Sequence, residues 1–514
     1  MALTKKFLTI SGLTVVSRIL GVVREAVLVH FLGASIEMDA FTTAFKFPSF
    51  FRKFFAEGGF QSIFVPYYTD FVTLEKKKGA MYFASRIYTL TFWIMIAFVV
   101  IIHVFAREFT LLMAPGFITN PEKLELTVEF TRIIFPSIAF ISLSTIYSGI
   151  LVSRQRFFPF AMAPILVNFI LIASLLICQD SLTAGRKISY GVLAAGIFQL
   201  TYMYGCVKYH NYPSPKFSNI RRTPMVKSFL KKLIPVLAGA GVAQINILVG
   251  TVFASILPTG SITYLYCADR FVQLPLAMFG ISMGIVLLPE IAERIAKKQA
   301  DGIKEIQDKS FLFTLRLTLP SVVGLITMAY CMISLLYGHG KFDQEAIQNT
   351  ATVLKASACG LPAFVVAKIM SSVLFAQKDS ATPITAAITS IVANIIFSFI
   401  LIKPFGAVGI AMASSIAGYV NVFVLCKKSH GWFAIDKSII KDFIKILLAS
   451  LGMLCIILLI NSKFGPLESK WKELISLFTT CMLGGITYLI LLIILKDRAA
   501  ITIIHRIRRT KSHP

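Results

Sequence analysis

The sequence predicts an all-α polytopic membrane protein of 14 transmembrane helices, built as two six-helix lobes followed by two C-terminal helices. Three observations carry this. Apolar residues make up 56% of the 514-residue chain and charged ones only 15%, with a mean hydropathy of +0.77, far more apolar than a soluble core of this length needs. Runs of about 20 apolar residues, each able to span a hydrocarbon layer of roughly 30 Å, recur along the whole chain. Finally, sequence features recur at an offset of about 220 residues.

In order, the spans fall near 8–31, 36–70, 87–113, 128–152, 158–178, 189–207, 229–257, 261–290, 310–337, 347–376, 382–402, 405–426, 440–461 and 475–495. The first imitates a signal peptide, with Lys5 and Lys6 ahead of an apolar run. However, Arg18 and Arg24 interrupt that run and no small-residue cleavage site follows, which predicts a retained helix. The second is long and amphipathic, with a bend expected at Pro48 and an end at Pro66. Alternate loops hold the basic residues: Lys76 to Lys78, Arg154 with Arg156, Lys208 through Lys232, Arg294 through Lys309, Lys427 through Lys445, and the tail from Arg506 to Lys511. The intervening loops carry far fewer, which places both termini in the cytoplasm. The formal charge of +26 is thus topological and does not mark a nucleic-acid-binding face.

The repeat sets the lobes. AFKFP at 44–48 answers to ADRFVQLP at 268–275, and Gln155, Pro159 and Asn168 answer to Gln377, Pro383 and Asn394. Cys206 and His210 have their counterparts in Cys426 and His430. Six helices per copy give both copies the same orientation, so residues 1–213 and 214–432 form parallel lobes, and 433–514 add two helices and a basic tail. Such lobes with a polar seam are the plan of alternating-access transporters, with the substrate site at the repeat interface.

The candidate site lies in residues 17–57, where Arg18, Arg24, Glu25, Asp39, Lys46, Arg52, Lys53 and Glu57 sit within otherwise apolar sequence. Three or four such cations facing lipid would cost on the order of 10 kcal/mol, so they are expected to face a wet cavity or one another. Arg18 and Glu25 share a helix face, Gly21 offers a bend that brings Arg24 toward them, and Asp269 with Arg270 is the second lobe's counterpart. Guanidinium groups bind phosphate through paired hydrogen bonds, so a diphosphate suits this set. The competing reading makes Arg18–Glu25, Arg24–Asp39 and Asp269–Arg270 structural ion pairs. Cations outnumber anions in the whole set, which favours a ligand.

Other features are weaker. YGHGKFD at 337–343 lacks P-loop spacing and reads as a turn. The eight cysteines are dispersed, and neither they nor the histidines show metal-ligand spacing, so no disulfide, metal or cofactor is expected. Lys355 and Lys368 either line the second lobe or snorkel.

SRILGVVRE (17–25), MDAF (38–41), FKFPSFFRKFFAEGGF (45–60), LLMAPGF (111–117) and YCADRF (266–271) together resemble the MurJ (MviN) family of lipid II flippases, within the multidrug/oligosaccharidyl-lipid/polysaccharide exporter superfamily. The resemblance covers the whole chain. It implies a V-shaped pair of lobes, as in MATE transporters, in the bacterial inner membrane. The implied activity is carriage of lipid II, the undecaprenyl-diphosphate-linked peptidoglycan precursor, from the cytoplasmic to the periplasmic leaflet, with no enzymatic step. By motif match Arg18, Arg24, Arg52 and Arg270 are the substrate-binding arginines of a central cationic cavity, supported by Glu25, Asp39, Lys46, Lys53, Asp269, Thr263 and Gln273. Thr263 and Gln273 stand where some members carry Ser and Glu. The last two helices would form a groove for the polyprenyl tail, and the expected partners are lipid II, membrane lipids and cell-wall synthesis proteins. Some members bind sodium through aspartates of helices 7 and 11. Here those helices offer Gln244, Asn246 and Asn394, and no sodium site is expected. The alternatives are a flippase for another polyprenyl-diphosphate-linked oligosaccharide, a MATE-like drug or ion antiporter, and a membrane transferase.

Overall fold

A computed structural model describes residues 2–497 except 56–58, 74–76, 178–182, 220–223, 282, 284–286, 288–289, 292, 295–299, 378, 429–436 and 464–469. Expectations that rest on Glu57, Lys76, Pro289 and the basic tail lie outside the described residues. All regular structure among the described residues is helical. The chain divides into two compact units, Met1–Thr263 with His339–Asp343, and Tyr264–Gly338 with Gln344–Pro514.

The first unit contains α1 (Ala2–Leu32), α2 (Ile36–Phe55), α3 (Gly59–Thr73), α4 (Lys77–Val104), α5 (Ala106–Met113), α6 (Pro121–Ile134), α7 (Ser137–Ser153), α8 (Phe158–Leu176), α9 (Ala184–Tyr209) and α10 (Pro224–Ala254). A 3-10 turn, Pro115–Thr119, precedes α6. Asn120 caps α6 by accepting the Lys123 backbone N–H at 3.1 Å, and Pro121 takes the first turn, where its missing N–H costs nothing. Helix α1 packs along α8, α9 along α7 and α8, and α2 along α6. The core is aromatic: Phe60, Phe64, Tyr68, Phe83, Phe135 and Phe229 are all but fully buried.

Two prolines lie within helices, Pro66 where a helix end was expected. Helix α2 continues through Pro48, and α3 continues past Pro66 to Thr73. A proline inside a helix costs about 3 kcal/mol through its lost hydrogen bond and ring clash. Around Pro48 the aromatic packing opposes that cost: Phe47 stacks on Phe135 at 5.6 Å and meets Phe109 edge-on at 4.9 Å, while Phe50 is buried. Helix α1 likewise runs through Gly21 as one element.

The second unit holds most of α11 (Ser261–Pro275), continued by a π-helical turn (Leu276–Ile281), then α12 (Ala300–Thr327), α13 (Ala329–Tyr337), α14 (Gln344–Ala358), α15 (Leu361–Ala376), α16 (Ala381–Lys428), α17 (Lys437–Lys463) and α18 (Lys470–Ile494). Helix α16 is two helices joined at Gly406, whose φ of 55° and ψ of −130° break it close to the expected boundary. Helices α17 and α18 pack on each other and on α12 through Leu312, Ile446, Met453, Ile457 and Tyr488. A buried ion pair adds to this. Arg316 donates to both Asp497 oxygens at 3.0 and 2.9 Å, and Tyr488 donates to the Arg316 carbonyl at 2.8 Å.

Eight helices among the described residues are long and apolar enough to cross a bilayer, or nine if α14 and α15, bent by 43° between them, make one span. Ile388, Ile395, Phe399, Leu458, Phe478 and Ile490 stand exposed on such helices, a surface that requires lipid. The chain is a multi-pass membrane protein.

Candidate functional site

The first unit carries most of the expected site, on α1 and α2. Arg18 is exposed on α1, with no hydrogen-bond or ion-pair partner among the described residues. Arg24, six residues on, is half-buried and held from two sides. Its guanidinium donates to Glu25 Oε1 and, at 2.9 Å, to Asn168 Oδ1 on α8. Asn168 in turn donates to the Ser17 carbonyl at 3.1 Å, so one amide joins α8 to two turns of α1. The ion pair is therefore Arg24–Glu25, where the sequence reading paired Glu25 with Arg18.

Asp39 has no exposed surface and sits in the first turn of α2. Its Oδ2 accepts from Lys123 Nζ at 2.6 Å and Gly260 N at 2.9 Å, and its Oδ1 from Thr263 N at 3.0 Å and Thr263 Oγ1 at 2.7 Å. Four donors saturate the carboxylate's lone-pair sites. Lys123, not Arg24, is its counter-ion, and Lys123 Nζ also lies 4.7 Å from the centre of the Phe117 ring. Thr263 keeps the hydroxyl that a serine would supply. Asp39 thus fastens α2 to α6 and to the first turn of α11, at the N–H groups a helix start leaves open.

Further along α2, Lys46 donates to Thr251 Oγ1 on α10 at 2.5 Å. Arg52 lines a cavity of about 30 Å³ with Ser49, Ser137 and Gln199, room for about two water molecules and too small for a sugar phosphate. Lys53 follows on the same helix; its side chain lies outside the described residues. Asp39 is paired with Lys123 and Glu25 with Arg24, and Arg18, Lys46 and Arg52 are the further cations of α1 and α2.

The remaining expected residues belong to the second unit. Arg270 stacks on the Tyr266 ring, 4.4 Å from its centre, and Asp269 accepts a hydrogen bond from Gln273. Lys355 and Lys368 are exposed.

Sequence reasoning missed Lys123 and Thr251. Asn120-Pro121, a cap followed by a first-turn proline, marks a helix start seven residues before the expected span at 128, and would have placed Lys123 on a helix. Nothing local distinguishes Thr251.

The profile of the family described as "Lipid II flippase MurJ" matches residues 28–480. The chain belongs to this family. Among MurJ relatives, a probable lipid II flippase MurJ of Rhizobium meliloti (strain 1021) is 37% identical over 431 residues, 83% of this chain and 80% of that protein. One of Rickettsia prowazekii (strain Madrid E) is 33% identical, covering 94% of this chain and 95% of the relative. A solved structure, "Lipid II flippase MurJ, inward closed conformation", aligns with a TM-score of 0.81 at 31% identity over 95% of this chain and 99% of that one. An inward-facing multidrug resistance MATE transporter of the MOP superfamily shares the fold at a TM-score of 0.67 and 13% identity, over 81% and 95% of the two chains.

Proposed function

We propose that the chain is a lipid II flippase, carrying the undecaprenyl-diphosphate-linked precursor from the cytoplasmic to the periplasmic leaflet by alternating access. The single observation that carries this is membership of the MurJ family along almost the whole chain. The site chemistry agrees with it. Arg18, Arg24, Lys46 and Arg52 bring positive charge to α1 and α2, as an anionic diphosphate requires. Arg24, held by Asn168 and Glu25, is pre-oriented for the same ligand. In this reading the 14 spans form lobes at 1–213 and 214–432 with a helix pair at 433–514, in the inner membrane with both termini cytoplasmic. Cell-wall synthesis proteins are the protein partners it implies.

Outward movement of a ligand of charge −2 across an inside-negative membrane is favourable by about 4.6 kcal/mol per 100 mV, so membrane potential drives the loaded step. A flippase for another polyprenyl-diphosphate-linked sugar shares the electrostatics and is the runner-up. The likeness to MATE transporters is one of fold, and a cationic site does not suit cationic drugs. The test depletes the protein from cells and adds an impermeant enzyme that cleaves lipid II only in the outer leaflet. Protection on depletion, reversed by wild type and not by Arg24→Ala, is the expected result. Unchanged cleavage with no other flippase present rejects lipid II as the substrate.

A further inference from the structure

The break at Gly406 lays the two halves of α16 side by side, joined where Ser390 donates to the Ala417 carbonyl at 2.8 Å. At their far ends they enclose an open groove of about 600 Å³. Thr382, Thr385 and Thr389, on one helical face, form one wall; Phe423, Lys427 and Lys428 form the other. Neither lysine has a hydrogen-bond or ion-pair partner among the described residues, and both are exposed. The acidic group closest in sequence to the threonine wall, Asp379, is committed to the helix start, accepting the Thr382 N–H at 3.0 Å. Thr385 and Thr389 donate their hydroxyl protons to carbonyls one turn back, at 2.8 and 3.0 Å, which leaves their oxygens as acceptors. Ile384 and Ile388, exposed next to this wall, continue it as lipid-facing surface.

Lysines at a helix C-terminus are accounted for by the helix dipole alone. The hydroxyl-bearing wall opposite them is not, nor is a space of ligand size between the two. We propose that the groove holds the headgroup of a membrane phospholipid of the phosphatidylglycerol class. The phosphodiester sits between Lys427 and Lys428, the glycerol hydroxyls donate to the threonine oxygens, and the acyl chains run down the isoleucine face. None of the arginines assigned above to the flipped substrate lines this groove.

The test uses full-length protein in nanodiscs with Phe423→Trp as a reporter, the native tryptophans being subtracted with the parent protein. Brominated phosphatidylglycerol is expected to quench Trp fluorescence at 423 at far lower mole fraction than brominated phosphatidylcholine. Adding Lys427→Gln and Lys428→Gln removes that preference, by about thirtyfold from two lysines near an anionic surface. Lys427→Arg with Lys428→Arg retains it, which separates charge from misfolding. Thr385→Val is expected to narrow the discrimination between phosphatidylglycerol and phosphatidic acid, which has no headgroup hydroxyls. Equal quenching by both brominated lipids, or a preference that survives the glutamines, overturns the proposal. So does competition by millimolar glycerol phosphate, which would make the ligand a soluble anion.

Discussion

Asp39 shows how far a single side chain can be read from sequence. An acidic residue inside an apolar helix demands compensation, and the sequence alone says so. What the chain order conceals is the partner, since Lys123 lies 84 residues away and Thr263 lies 224 away. Replacing Asp39 by Asn leaves a buried ammonium facing an amide. This is expected to cost about 3–5 kcal/mol, read as a fall in the thermal unfolding midpoint of detergent-solubilised protein. Asp39→Asn combined with Lys123→Met recovers part of the loss, because the orphaned charge is gone. Thr263→Ser is expected to unfold close to wild type and Thr263→Val about 1 kcal/mol lower, since only valine removes the hydroxyl donor. The pairing of Arg24 was not legible. Arg24 meets Glu25 on one side of its guanidinium and Asn168, 144 residues away, on the other.

At the scale of elements, hydropathy located the helices well and their interruptions poorly. Pro66 was read as a helix end, yet α3 continues to Thr73, and α2 runs through Pro48 where Phe47 packs on Phe109 and Phe135. Gly406, by contrast, breaks a 48-residue helix where the sequence placed a short loop. The turn at 337–343 was expected, but its docking was not. Lys341 N donates to the His30 carbonyl at 3.1 Å, and both sides of this contact need glycine. Gly33 and Gly340 adopt φ values of 62° and 68°, and a Cβ on either would collide with the other segment. Gly340→Ala is expected to free this segment, seen as hydrogen exchange at the Lys341 amide at least about tenfold faster than in wild type. In the second unit Asp497→Asn weakens the clamp on Arg316, and α18 is expected to lose protection near its C-terminal end while α1 does not.

For the whole molecule, composition alone pointed to the membrane class, and the exposed apolar helices agree. Dissipating the membrane potential is expected to slow lipid II appearance in the outer leaflet without changing ATP levels. If the rate is unaffected in potential-free vesicles, the electrical drive is excluded. The division of the chain into units has a consequence for its birth. The first unit takes in residues up to Thr263 and then His339–Asp343, so residues 264–338, seventy-five of them, separate its last two pieces. At about 5–20 residues per second, a ribosome needs roughly 4–15 s to cross that gap. During that interval the end of α1 lacks the segment that docks on it in the finished chain.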